Sequence, residues 1–172
     1  MSEDLIEAYA LPDPDDHPGV IAAELLKLPE HQHLRDGDAC IEFLFRRYPK
    51  VRHGREVLGT ACMPVVQGEL SDCFEWMLIK LLGTLPDFLI ILDQAFWREA
   101  TPHVREIMVY HELKHCAQKV DQYGSARFHR DGSPMWGIRG HDVEEFSDTV
   151  RRYGAWTHDI AIFVAAVNGH GR

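Results

Sequence analysis

No lysine or arginine occurs before Lys27, and no CxxC pair occurs anywhere in the sequence. A secretory leader needs a basic start followed by an apolar core, so the acidic opening MSEDLIEAYALPDPDD predicts none. The most apolar run, residues 160–167, falls far short of the roughly 20 residues that cross a bilayer, so no membrane association is expected. Cys40, Cys62, Cys73 and Cys116 are too few for a secreted disulfide framework in 172 residues. They are read as mostly buried thiols in a reducing cytoplasm. Basic charge is also short, with 18 Lys and Arg against 27 Asp and Glu and a net charge of -9. That argues against a nucleic-acid binder working by phosphate neutralisation, and none is expected as a partner. Repeats and low-complexity tracts are absent.

What is present suits a globular chain, 45% apolar and 26% charged. Residues 1–17, with two prolines and four aspartates, are expected as a flexible acidic arm, and residues 18–168 as one domain. Oligomeric state is not legible. Residues 39–48 alternate apolar and polar like a strand, and a second strand over 56–63 suggests a hairpin with it. Leu70, Phe74, Met77, Leu78 and Leu81 recur at helical spacing, with Gly83 as the stop. Phe88, Leu89, Ile90, Ile91 and Leu92 form a continuous apolar strand. Thr101-Pro102 starts a helix expected to run to about Val120. Asp131-Gly132 marks a tight hairpin. Asp142, with Glu145 at capping-box spacing, is expected to begin another helix, and a last one covers 155–167. The fold class is α+β, with a small mixed sheet of about three strands packed with helices.

Eleven histidines are many for this length. Two of them lie in VYHELKHC, residues 109–116. On a helix, positions four apart sit about 40° from each other, so His111 and His115 can aim two imidazoles at one ion. Glu112, about 100° round from His111, can reach a metal-activated water without ligating. This division of labour is the HExxH pattern of zinc peptidases. Apolar neighbours such as Ile107, Met108, Val109, Leu113 and Val120 predict an interior helix, where histidines and a carboxylate need a partner or an ion.

A catalytic zinc takes three protein ligands and leaves one position open. RGHDVEEF offers the third. His141 has no routine structural role, whereas Glu144 and Glu145 can be explained by the dipole of a helix start. His129 is a further alternative. Asp142 could orient a ligand imidazole. Tyr123, Arg139, Tyr153 and His158 are candidates for stabilising an oxyanion. His17, His31, His33 and His53, in polar stretches, are expected in solvent.

FLIILDQAFWREATPHVREIMVYHELKHC together with RDGSPMWGIRGHDVEEF resembles the phage metallopeptidase family, small zincin-like proteins of phages and prophages. SprT-like metalloproteases are broader relatives. The resemblance covers about the second half of the chain. It implies a zincin-like domain around a central HExxH helix, with His111, His115 and His141 holding one Zn²⁺ and Glu112 as general base. It also implies a peptide or protein substrate, held in extended form at a sheet edge, a role open to residues 88–92. The expectation is zinc-dependent peptide hydrolysis. The alternative is a zinc-containing protein that binds a host protein, in regulation or against a host defence, without turnover.

Overall fold

The computed structural model describes residues 7–143 and 145–169. The chain divides into two compact units, Met1–Arg139 and Gly140–Arg172. The class is α+β.

In the first unit the strands are β1 (Tyr9–Ala10), β2 (Ile41–Arg46), β3 (Val51–Arg52), β4 (Arg55–Glu56), β5 (Gly59–Cys62), β6 (Phe88–Asp93), β7 (Cys116–Gln118) and β8 (Trp136–Ile138). The helices are α1 (Pro18–Leu25), α2 (Gln32–Asp36), α3 (Ser71–Leu82), α4 (Gln94–Glu99) and α5 (Pro102–His115). The main sheet runs β1-β2-β6-β5. β6 pairs parallel with β2, from Ile41 opposite Phe88 to Arg46 opposite Asp93, and antiparallel with β5. Within the segment expected as an arm, Tyr9–Ala10 adds β1 to the outer side of β2.

The expected hairpin between the first two long strands does not form. β6 inserts between them, and the residues linking them close their own small ladder, β3–β4. Burial explains the insertion. Phe88, Leu89, Ile90 and Leu92 are all buried, and a strand apolar on both faces belongs inside a sheet rather than at its edge. The substrate edge expected at residues 88–92 is therefore unavailable, because both sides of that strand are paired. β5 is the edge.

Where the parallel pair ends, Arg46 and Asp93 form a buried ion pair at 3.2 Å. Arg46 also donates to the carbonyls of Tyr48, at 2.9 Å, and Val57. Asp93 also accepts the Phe96 N–H at 3.0 Å, capping α4. These additional bonds offset the desolvation that makes an isolated buried pair unfavourable. Above the sheet, Val109 and Leu113 of α5 join Phe43, Phe45, Ile90, Leu92 and Trp97 in one core with Ala22 and Leu25 of α1.

α3 departs from its expected packing. Gly83 does end it in the left-handed conformation, with its N–H on the Ile79 carbonyl. Yet Leu78 is its one fully buried residue, while Trp76, Met77, Ile79 and Leu81 are exposed.

Three histidines expected in solvent have structural work. His17 Nδ1 accepts the Gly19 N–H at 2.9 Å and caps α1. His33 Nε2 donates to the Cys116 carbonyl at 3.1 Å. His31 is 0% exposed and sits edge-on to Tyr110, and neither of its ring nitrogens has a hydrogen-bond partner among the described residues. Burial, then the nearby Lys114 cation, lowers its pKa from the usual 6.5. The unfolded chain therefore takes up this proton at higher pH than the folded one. Stability is full above about pH 6.5 and is lost as pH falls from there through the depressed folded pKa. His31→Phe keeps the edge-on aromatic contact and removes the titration. Its Tm should rise relative to wild type at pH 5 but not at pH 8, by about 2–4 °C for each ~1 kcal/mol relieved. Parallel thermal melts at the two pH values check this.

The second unit contains α6 (Ser147–Tyr153) and α7 (His158–Gly169). The helix expected from Asp142 starts five residues later. Glu145 does not act in a capping box. Its carboxylate takes the Phe146 N–H at 2.7 Å and the Trp156 indole N–H at 3.1 Å, a local bond that competes with helical turns. Thr157 Oγ1 accepts the Ile160 N–H at 3.4 Å at the start of α7, whose Ile160 is buried. No helix among the described residues is long and apolar enough to cross a membrane.

Candidate metal centre

α5 begins as its sequence dictates. Thr101 Oγ1 accepts the Val104 N–H at 3.4 Å, and Pro102 follows with its preset φ. The helix buries Met108, Val109, Glu112 and Leu113, while Ile107 on the opposite side is exposed. It is therefore a helix laid on the core by one face, not an interior one. It also stops at His115 rather than near Val120. Cys116 turns extended (φ -74°, ψ 113°) and opens β7, which pairs with β8.

His111 and His115 face each other as the spacing requires. Their rings stand edge-to-face with centroids 5.0 Å apart, and the two Nε2 atoms are 3.3 Å apart. An ion holding two tetrahedral imidazole ligands at about 2.0–2.1 Å places those nitrogens about 3.3–3.4 Å apart. The measured separation fits that geometry. Arg139 supplies the orientation. Its carbonyl lies 2.6 Å from His115 Nδ1, and its N–H donates to the His115 carbonyl at 2.8 Å. A carbonyl only accepts, so Nδ1 carries a proton, and Nε2 is the nitrogen left to face His111 as a ligand.

Glu112 is 5% exposed, with its side chain between α5 and β5. The Ala61 N–H donates to the carboxylate, and Oε2 has no hydrogen-bond partner among the described residues. Burial raises its pKa, and the His115 charge pulls the other way. β5 approaches this carboxylate closely. A Cβ on Gly59 would lie 2.7 Å from the Glu112 carboxyl carbon, and nearer still to Oε1. Sequence reading missed Gly59 and Ala61. The available signal was a glycine inside a strand pattern, which often marks close approach by another group. Cys116 is buried, its thiol donating to the Glu112 carbonyl at 3.6 Å, and burial pushes its pKa up to about 12. Its sulfur does not join the histidine nitrogens as a ligand group.

The remaining candidates separate by position. His129 heads an exposed turn closed by its N–H to the Ser133 carbonyl, and it does not join His111 and His115. Tyr123 is 83% exposed in the 121–124 turn, where its N–H bonds the Asp121 carboxylate. Arg139 reaches the pair through its main chain. In the second unit, His141 and Asp142 are exposed and precede α6, Tyr153 ends α6 beneath the Arg152 guanidinium, and His158 opens α7. Glu145 is committed to Phe146 and Trp156. Glu144 lies outside the described residues.

On this α+β scaffold a helix converges two imidazole nitrogens, the His115 ring oriented by a backbone carbonyl and a buried carboxylate alongside, an arrangement that could hold a metal ion. The chain belongs to the family described as Putative phage metallopeptidase, whose model matches residues 19–168. No curated protein and no solved structure matches it. Membership in a metallopeptidase family implies a metal.

Proposed function

We propose that the protein is a zinc-dependent peptidase, with His111, His115 and His141 as ligands to one Zn²⁺ and Glu112 as general base. The observation that carries this reading is the 3.3 Å separation of the two Nε2 atoms, with His115 fixed by Arg139. His141 follows Arg139 by two residues, a span of at most about 7 Å. Zinc held by these residues would supply Lewis acidity for activating water and polarising a carbonyl. Glu112 takes the proton of the attacking water and returns it to the leaving amine. Its burial favours a base that is readily re-protonated. The oxyanion calls for a further donor. Arg139, Tyr153 and His158 are the groups to substitute first, ahead of Tyr123, which stands in solvent. A peptide laid along the outer edge of β5, in place of residues 88–92, would bring its carbonyl beside Glu112. The setting is the cytoplasm of a phage-infected or lysogenic bacterium.

A second reading, binding of a host protein without turnover, is favoured by the exposed Trp76, Met77, Ile79 and Leu81 of α3.

Elemental mass spectrometry of purified protein tests the metal. About one zinc per chain is expected in wild type, and most of it lost in His115→Ala and His141→Ala. Zinc kept by His141→Ala would move the third ligand to Glu145, Glu144 or His129. Wild type that stays metal-free after zinc addition would sink the reading.

A further inference from the structure

Where β7 continues from the histidine helix, the first unit holds an open groove of about 540 Å³. This lies within the range of small-ligand sites, about 300–1,000 Å³, and is ample for a peptide side chain. Its floor is apolar, from Ala117, Val120 and Ile138. Among the described residues, its charged or titratable lining groups are His33, Lys119 and Arg139 and none is a carboxylate, in a chain whose net charge is -9.

The groove is fastened to the site. Ala117 follows His115 by two residues, without an intervening loop. Arg139 closes the other side, with both its main-chain groups on His115. The Lys119 side chain lies across Gly137, where a Cβ would come within 3.0 Å of its Cγ. That glycine lets the lysine's methylenes form part of the wall while its ammonium stays at the rim.

We propose that this groove binds an aliphatic side chain of a peptide that carries acidic residues beside it. The floor supplies apolar burial, and the basic rim supplies the charge preference. As a substrate subsite the assignment rests on the peptidase reading, but binding in the groove does not need turnover.

The probe is a capped tripeptide, glutamate–photoleucine–glutamate, whose aliphatic diazirine inserts where the side chain rests. It is irradiated with the full-length zinc-loaded protein, and adducts are mapped by peptide mass spectrometry. Adducts are expected within residues 117–126 and 137–139, at least several-fold stronger than with the lysine-flanked counterpart. Lys119→Glu should reverse that flank preference. Ala126→Trp, at an exposed position lining the groove, should remove labelling by both peptides while circular dichroism stays unchanged. Adducts concentrated on α3, no adducts, or labelling indifferent to the flanks would overturn the proposal. Repeating the labelling on Glu112→Gln keeps the two readings apart. Labelling without hydrolysis in any variant removes the peptidase and keeps the groove, and hydrolysis without labelling does the reverse.

Discussion

Glu112→Gln is expected to lower peptide hydrolysis by about 10²–10⁴-fold, the usual contribution of a positioned general base. The change keeps the shape of the side chain and removes its ability to accept a proton. Metal content should remain that of wild type, because the ligands are imidazoles. Stability should not fall. A carboxyl whose pKa is raised by burial carries no penalty below its unfolded pKa of about 4.5, acquires one as pH rises through the folded value, and keeps it above. At neutral pH wild type carries that penalty and Gln does not, so the variant's Tm should equal or exceed wild type. Loss of activity with gain of stability is the pattern of a residue retained for chemistry. Single-turnover hydrolysis of a peptide library, followed by mass spectrometry with parallel melts, checks both. Undiminished hydrolysis would exclude Glu112 as the base.

Gly59→Ala should be the most damaging change outside α5. The added methyl meets the Glu112 carboxyl, so either the carboxylate swings away or the end of β5 moves off the helix. A shift of about 1 Å in a catalytic group can lower turnover about 10²-fold. The expected result is a fall in kcat with little change in KM and unchanged zinc content. A change confined to KM would mean that the edge of β5 had moved as a substrate surface while Glu112 stayed in place. Normal kinetics would show that the carboxylate has another productive position.

The metal helix was readable because its chemistry is local. HExxH needs only helical spacing, and the Thr101-Pro102 start is a short-range signal. Its end was not readable. The turn at Cys116 depends on β8, twenty residues further on, and on the His33 side chain bonding the Cys116 carbonyl. The same distinction separates the strands. β2 was recognisable by its alternation and β6 as a continuous apolar run, but their parallel pairing joins segments more than forty residues apart, and periodicity does not encode a partner. His31 was misread for a related reason. A histidine among polar neighbours in sequence can still be enclosed by Tyr110 from a distant helix. Gly59 had a signal but no target until Glu112 was placed beside it.

The double tie between His115 and Arg139 also links the metal to the dynamics of the β7–β8 ladder. The Arg139 amide exchanges with solvent only when its bond to the His115 carbonyl opens, and that opening frays the end of α5. A metal that binds the closed form and not the frayed one suppresses this fluctuation by mass action, tenfold in protection for each tenfold of metal above its dissociation constant. Deuterium uptake at a single backbone nitrogen thus becomes a titration curve for the centre, readable without any substrate.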